Sequence, residues 1–538
     1  MAEKPVDDVQ ATSDCKENAV GGFKDNEPGQ PDFDAAEERA VVKKLDRVIL
    51  PIMAVVYFFQ CKVASAHLWG PMLLFFPCEN DKLISHDHHG SDLDKQSINY
   101  AAVFGLSEDL RLTGSQFSWC VSLFYFGQLC SEYPAAYLMS RLPIVRFVGV
   151  TIVLWGAVEM CLGASQNFAS LGAIRFLLGF TEGAVSPSFM IITSNWYKRN
   201  EHPVRVATWV SMFGVSQIVG ALLMYGIGSG VHTIATWRVL FMVCGGCTIA
   251  AGILFIFGMP GDTKSAWFLN ERERHVATQR LALDRATRDR AHFDMAQARE
   301  ALRDPRTALY ALMALFITLP TPIVKASRPS QHIPRALRFS SLVINGFGYS
   351  KFETMLVGLP SGAVAFILVW VGALGPRFLP NTRCFFGMFL AAVPLLGSLL
   401  LVVLPANLKW GIVASTWLAG STAPPLGQVV GLMASNIKGN TKKSVVSAIF
   451  FIFYCIGCIV GPQLWQKQDA PRYTKGCITS IVSFCCLIVA FFVHYFTSKV
   501  SNSKRDKLAT QSGTNYDEGM DSDSDLTERQ DKGFRYTH

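Results

Sequence analysis

Apolar runs long enough to cross a lipid bilayer recur along this chain with only short polar breaks, and that recurrence decides what it can fold into. They lie near residues 116–138, 144–163, 168–194, 204–228, 237–259, 307–324, 354–374, 384–404, 409–434, 444–466 and 476–498, and a shorter one lies near 48–60. A spanning helix needs about 20 predominantly apolar residues, more than the core helix of a soluble domain sustains without polar positions. Twelve spans consume roughly 240 residues. A 538-residue chain that is 50% hydrophobic supplies them. Only 17% of its residues are charged and its mean hydropathy is +0.28, whereas soluble domains carry about 25% charge. A soluble enzyme and a disordered scaffold are both excluded for the chain as a whole.

Residues 1–40 are polar and acidic, with no basic segment leading into a short apolar one, so the first span is expected to act as its own insertion signal. The 14 cysteines are mostly scattered singly through apolar runs, as at Cys120, Cys130, Cys161, Cys244, Cys247, Cys455 and Cys458. No spacing matches a zinc site or a disulfide framework, so they read as reduced thiols packed between helices. Gly214, Gly220, Gly457, Gly461 and Pro187 interrupt the runs, as small residues do where membrane helices approach closely.

The net charge of +8 reports orientation rather than a nucleic-acid partner. The segment 260–306 concentrates Arg and Lys, and the breaks holding Arg141/Arg146, Lys198/Arg199, Arg377/Arg383 and Lys438/Lys442/Lys443 alternate with poorer ones. The positive-inside rule puts the rich set in the cytoplasm, with both termini and six spans on either side of 260–306. Within that segment Leu281, Leu283 and Phe293 sit among dense charge, the pattern of a surface helix. The expected fold class is an all-α membrane protein with twelve transmembrane helices in two six-helix pseudo-repeats. Its parts are a disordered cytoplasmic tail (1–45), a first bundle (46–259), the central loop (260–306), a second bundle (307–498) and a cytoplasmic C-terminal tail (499–538). The halves echo each other: Arg141-Leu142-Pro143-Ile144-Val145-Arg146 follows the second span, and Arg377-Phe378-Leu379-Pro380-Asn381-Thr382-Arg383 follows the eighth. Internal duplication of this kind is common in transporters.

Ionisable residues inside spans are costly and usually functional. With the first span rejoined across 61–92, Asp94 and Lys95 fall near the bilayer middle. Arg175 and Glu182 on the fourth span are seven residues apart, which puts them on one helix face about 10 Å apart along the axis. A cation that holds an anion by charge-assisted hydrogen bonds, beside a carboxyl that carries a proton, is the equipment of proton–anion symport. Either Asp94 or Glu182 can fill the second role. Gln217 lies mid-span and can hydrogen-bond either a substrate or a neighbouring helix. Arg141, Arg146, Arg377 and Arg383 read as latches of the cytoplasmic gate. No metal or organic cofactor is implied, and the coupling ion is a proton. His86-Asp87-His88-His89 lacks a fourth ligand at useful spacing and reads as an incidental run. Tyr225-Gly226-Ile227-Gly228-Ser229-Gly230 lacks the strand and Lys-Ser/Thr of a nucleotide loop. With no nucleophile–base or metal constellation, an enzyme is not expected.

Several motifs carry a family resemblance: Asn99-Tyr100-Ala101-Ala102-Val103-Phe104-Gly105-Leu106, Phe124-Tyr125-Phe126-Gly127 with Glu132-Tyr133-Pro134-Ala135, and Arg175-Phe176-Leu177-Leu178-Gly179 with Glu182 and Pro187. So do Gln217-Ile218-Val219-Gly220, Trp237-Arg238, Phe268-Leu269-Asn270-Glu271-Arg272, Asn345-Gly346-Phe347-Gly348 and Asp469-Ala470-Pro471-Arg472-Tyr473, with Asp525-Leu526-Thr527 and Phe534-Arg535-Tyr536 in the tail. The chain resembles, over roughly residues 41–498, the allantoate permease group of anion:cation symporters in the major facilitator superfamily, known mainly from fungi. The resemblance implies proton-coupled uptake of a small organic anion, a ureide such as allantoate, nicotinate or a similar carboxylate, by a monomer in the plasma membrane. It also implies functional roles for the acid–basic pair Asp94/Lys95 and for Arg175 and Glu182.

The chain departs from that family at two inserts, near 61–92 and 323–337, which lack helical periodicity and fall inside expected helices. Long structureless insertions are foreign to a compact bundle, and one or both read as retained introns. Sequencing the transcript decides this, since a message holding both in frame excludes it. Ser447, Phe453 and Cys458 stand where the family shows Asn and Gly, and Phe453 narrows the substrate range to be carried over. The rival readings are a non-transporting nutrient sensor of the same fold and an inactive product that retains the inserts.

Overall fold

The structure, a computed structural model, describes residues 32–60, 101, 105–112, 116–198, 201–230, 234–285, 294–320, 357–379, 381–405, 408–464, 474–512, 526–531 and 533–538. Both inserts, His86 to His89, and Asp94 and Lys95 lie outside these residues. All regular structure among the described residues is helical.

The first half comprises α1 (Ala35–Gln60), α2 (Gln116–Arg141), α3 (Ile144–Leu162), α4 (Phe168–Glu182), α5 (Val185–Trp196), α6 (His202–Val210), α7 (Met212–Ser229) and α8 (Thr236–Gly258). Two helices, α9 (Glu271–Arg285) and α10 (Met295–Arg303), lead to the second half. That half comprises α11 (Pro305–Thr318), α12 (Leu359–Phe378), α13 (Arg383–Val403), α14 (Lys409–Ala419), α15 (Ala423–Asn436), α16 (Asn440–Leu464) and α17 (Thr474–Ser512). Helices over Ile144–Leu162, Thr236–Gly258, Leu359–Pro376, Arg383–Val403, Thr441–Leu464 and Lys475–Gln511 are long and apolar enough to cross a membrane.

Three runs that read as single spans fold as consecutive helices. The run 168–194 breaks after Glu182 at Gly183, and the run 409–434 breaks before Pro424 and Pro425 at the start of α15. Proline lacks the N–H that the preceding turn needs, so a helix restarts there rather than continuing. The run 204–228 is interrupted only at Ser211, whose dihedrals remain helical. Residues 35–45, expected within the disordered tail, are helical. Helix α1 begins at Ala35, because Glu37, Glu38, Lys44 and Asp46 all find partners on neighbouring elements. Helix α17 continues to Ser512, and residues 526–538 fold back against its end.

The packing repeats between the halves. In the first half α2 packs on α4, α3 on α8, and α1 on α6, α7 and α8. In the second half α12 packs on α15, α13 on α17, and α11 on α16 and α17. Counting α4–α5, α6–α7 and α14–α15 as one span each, this is one scheme used twice: second on fourth, third on sixth, first on fifth and sixth. The cross-half contacts obey it as well, with α7 on α12 and α2 on α16. The α7–α12 crossing is backbone to backbone. A Cβ on Gly214 would lie 2.5 Å from the Gly362 carbonyl oxygen, and one on Gly362 would lie 2.6 Å from that of Gly214. Only glycine permits this approach.

Polarity is distributed inside out. Leu154, Leu254, Phe257, Val403 and Phe496 are exposed on outer helix faces, while Arg175, Glu159, Glu182 and His494 are buried. Hydrocarbon rather than water around the bundle accounts for that arrangement, since a polar side chain facing lipid is costly.

Basic residues at helix ends form two ionic clusters, one at the basic end of each half. In the first half Arg280 of α9 is fully buried and donates to Glu38 of α1 (3.1 Å) and to Glu201 (2.5 Å). Lys198 also pairs with Glu38, and Arg205 of α6 donates twice to Asp46 of α1, at 3.1 and 3.0 Å. Helix α9 buries Val276, Ala277 and Leu281, while the Leu283 side chain and Phe293 lie outside the described residues. In the second half Lys442 gathers Glu300, Asp304 and Glu528.

Candidate functional site

Helix α4 starts from a capping box, in which the Asn167 side chain accepts from the Ser170 N–H and Ser170 Oγ accepts from the Asn167 N–H. From that fixed start, Leu171, Gly172, Arg175, Leu178, Gly179 and Glu182 are all buried. The spacing is that of one helix face. Arg175 and Glu182 therefore share a face, each 1% exposed. Helix α2 covers it: Leu123 lies against Gly172, the Phe124 backbone against Gly179, and Gln128 and Ser131 against Gly183. The arrangement holds a guanidinium and a carboxyl on one rigid face inside the bundle, about two helical turns apart.

Gln217 of α7 sits at the crossing of the halves, where its Oε1 accepts from Ser361 Oγ at 3.3 Å. Its partner in this conformation is therefore the neighbouring helix. The pseudo-equivalent contact, α2 with α16, is polar too: Ser122 Oγ donates to the Ile459 carbonyl at 2.9 Å and accepts from Gln463 Nε2 at 3.2 Å. Two hydrogen-bonded seams thus join the halves.

The basic breaks that echo in sequence differ in structure. Arg141 and Arg146 are exposed, Arg141 lying 5.6 Å from the Tyr137 ring centre. Arg383 is instead buried, donating to Ser435 Oγ at 2.6 Å and to the Gly431 carbonyl at 3.4 Å. Arg383 ties α13 to α15 within one half. The Arg377 side chain lies outside the described residues. Residues 225–229 belong to α7, so the glycine run there is helix and not a phosphate loop. Phe453 is partly buried against the core, Cys458 is buried and Ser447 is exposed.

Three further ionisable residues occupy the interior of helices. Glu132 falls on the α2 stripe Val121, Tyr125, Gln128 and Glu132, of which Gln128 also meets the end of α4. Glu159 of α3 is fully buried. His494 of α17 is also fully buried, with Nε2 2.8 Å from Tyr310 Oη and Nδ1 3.6 Å from Cys384 Sγ. Each was visible as an ionisable residue within an apolar run, the same signal that singles out Arg175 and Glu182.

Glu300, Asp304 and Glu528 converge closely enough to hold a cation, and the cation at their centre is the Lys442 ammonium, 2.8 Å from both Glu300 Oε1 and Asp304 Oδ2. Burial pushes the Asp304 carboxyl up, but the hydrogen bond and charge of Lys442 outweigh this and hold it below its ordinary value.

A profile of the Major Facilitator Superfamily matches residues 90–462. An uncharacterized transporter of Schizosaccharomyces pombe is 32% identical over 508 residues, 94% of this chain and 87% of the relative. The allantoate permease of Saccharomyces cerevisiae is 31% identical over 458 residues, 83% of this chain and 82% of the permease. Among solved structures, the proton:xylose symporter XylE bound to 6-bromo-6-deoxy-D-glucose superposes with a TM-score of 0.59 at 10% identity, covering 86% of this chain and 96% of XylE.

Proposed function

Because the chain belongs to the Major Facilitator Superfamily, a family of transporters and not of enzymes, we propose that it carries a small organic anion across the membrane together with a proton, by alternating access. The observation that carries this reading is Arg175 and Glu182 buried on one face of α4. Arg175 holds the anionic group by charge-assisted hydrogen bonds. Glu182 or Asp94 binds the proton, and Lys95 assists the anion. Gln217 breaks its bond to Ser361 when the halves rock apart and then becomes available to substrate. Likeness to an allantoate permease favours a ureide, with nicotinate or a similar carboxylate as the other candidates.

In this reading twelve spans cross the plasma membrane of a monomer. The basic end and both termini face the cytoplasm under the positive-inside rule, and Arg141, Arg146, Arg377 and Arg383 act at the inner gate. A monoanion carried with one proton moves no net charge, so uptake draws on the pH gradient alone. A second proton adds about 2.3 kcal/mol per 100 mV. Uptake of labelled allantoate and nicotinate at acidic and neutral pH, with and without an uncoupler, tests the reading. Accumulation indifferent to both pH and uncoupler excludes proton coupling, and no uptake of any anion by a chain with the inserts near 61–92 and 323–337 removed favours the sensor.

A further inference from the structure

The basic end of the second half carries a feature that transport does not require: a groove filled by the chain's own last residues. Two asparagine side chains each read both backbone polar groups of one residue in the segment. Asn436, at the end of α15, donates to the Thr537 carbonyl (3.0 Å) and accepts from the Thr537 N–H (2.7 Å). Asn502, on the extension of α17, does the same for Tyr536 at 2.8 and 2.8 Å. Arg505, one turn further along α17, donates to the carbonyls of Glu528 (2.6 Å), Asp531 (3.1 Å) and Phe534 (2.6 Å). These contacts fix the segment's backbone in a defined register, in which the Gln530 and Asp531 N–H groups close a turn on the Thr527 carbonyl and Arg505 gathers the carbonyls that turn brings together.

Side chains supply specificity. The Tyr536 ring lies under the Arg306 guanidinium, 3.3 Å from its centre, with Arg505 at 4.9 Å. Glu528, 1% exposed, enters the cluster around Lys442, and Asp531 pairs with Lys438 at 2.5 Å. Two amide brackets thus hold the segment, and charges pair in both directions: Glu528 and Asp531 meet Lys442 and Lys438, while Arg529 and Arg535 meet Asp304 and Asp506.

We propose that the ends of α11, α15, α16 and α17 form a peptide-binding site whose ligand is residues 526–538 of the same chain, and that the bound segment braces these four helix ends as one body. Among the described residues the segment's hydrogen bonds and ion pairs fall on α10 and the second half, so its loss is expected to weaken transport rather than release it. Residues 513–525 tether it, and a short tether gives an effective concentration in the millimolar range. A site of micromolar affinity is therefore almost always filled in the intact chain. This goes beyond the anion-transport reading and does not depend on which substrate is carried.

The test compares the full chain with one lacking residues 526–538, each purified in detergent, using a fluorescent synthetic peptide of sequence 526–538. The shortened chain is expected to bind the peptide with micromolar Kd and the full chain at least tenfold more weakly. A Glu528→Gln peptide, which leaves Lys442 without one buried partner, is expected to bind about a hundredfold more weakly. Peptide binding should raise the melting temperature of the shortened chain, and uptake by that chain should be several-fold below that of the full chain. Equal binding by both chains, or faster uptake after shortening, overturns the proposal. Should the shortened chain fail to fold, full-length Arg505→Ala serves with hydrogen exchange as the readout. Exchange across 526–538 is then expected to rise at least tenfold while α4 is unchanged, and a parental segment that exchanges as fast as the free peptide overturns the proposal.

Discussion

Replacing Lys442 by Met removes one positive charge from a place where three carboxylates depend on it. The Lys442 side chain is 1% exposed, and its partners Asp304 and Glu528 are 4% and 1% exposed. Removing one member of a buried ion pair costs about 3–5 kcal/mol, because the charge left behind keeps its desolvation penalty and loses its compensation. Two features place this site at the lower end. Glu300 is 20% exposed and so retains water, and Arg529 reaches Asp304 at 3.2 Å from a position 48% exposed. A loss of about 3 kcal/mol lowers the melting temperature by roughly 6–12 °C if the second half unfolds as a unit of about 200 residues. The assay is thermal unfolding of the full chain in detergent, followed by tryptophan fluorescence at fixed scan rate because membrane-protein unfolding is commonly irreversible. Adding Asp304→Asn and Glu528→Gln to Lys442→Met removes the stranded charges and should recover most of the loss. A single variant that melts within 1 °C of the parent, or a triple variant that melts below the single, refutes the reasoning.

Other consequences follow from particular contacts. The Asp304 carboxyl, which burial would raise, is held below its ordinary 3.8 by Lys442, so its contribution is present at neutral pH and is lost as pH falls through the lowered value. Asp304→Asn should therefore melt lower than the parent at pH 7, with the gap closing as pH falls from the ordinary 3.8 through the lowered value, and a gap that is constant across pH contradicts the assignment. Gly214→Leu forces a side chain onto the Gly362 carbonyl at the crossing of the halves. Overpacking of this kind costs about 1–3 kcal/mol, and uptake should fall more than tenfold while surface expression stays within twofold. Lys264→Cys, in the exposed stretch between α8 and α9, should react with an impermeant maleimide only after cells are permeabilised. Labelling of intact cells above that of the parent, whose own cysteines are free, reverses the orientation.

Much of the architecture was legible because a bilayer imposes a coarse rule. Long apolar runs stand out in any sequence, and helices coincide with them from Gln116 to Val403 and beyond. The breaks inside runs were harder to foresee, since Gly183 and Pro424 look like the small and kinking residues common in membrane helices. The start of α1 was missed for a different reason. The charges of 35–47 read as solvated until their partners Glu273, Arg205 and Arg280 come close from more than 150 residues away. Helical periodicity alone put Arg175 and Glu182 on one face. It could not reveal that Gln217 bonds to Ser361, or that Arg146 and Arg383, which match in sequence, stand one in the open and one buried. Those facts depend on which helices meet.

The central claim is that a cation and a carboxyl on α4 couple an organic anion to a proton. Uptake of labelled allantoate into cells expressing the full chain, at external pH 5 and pH 7, measured for the parent, Arg175→Ala and Glu182→Gln, addresses it directly. The account predicts accumulation that is several-fold higher at pH 5, abolished by an uncoupler and reduced about 10–100-fold in Arg175→Ala by loss of a charged hydrogen bond, with Glu182→Gln flattening the pH dependence. Parental uptake by Arg175→Ala, with the same response to pH and uncoupler, would contradict it.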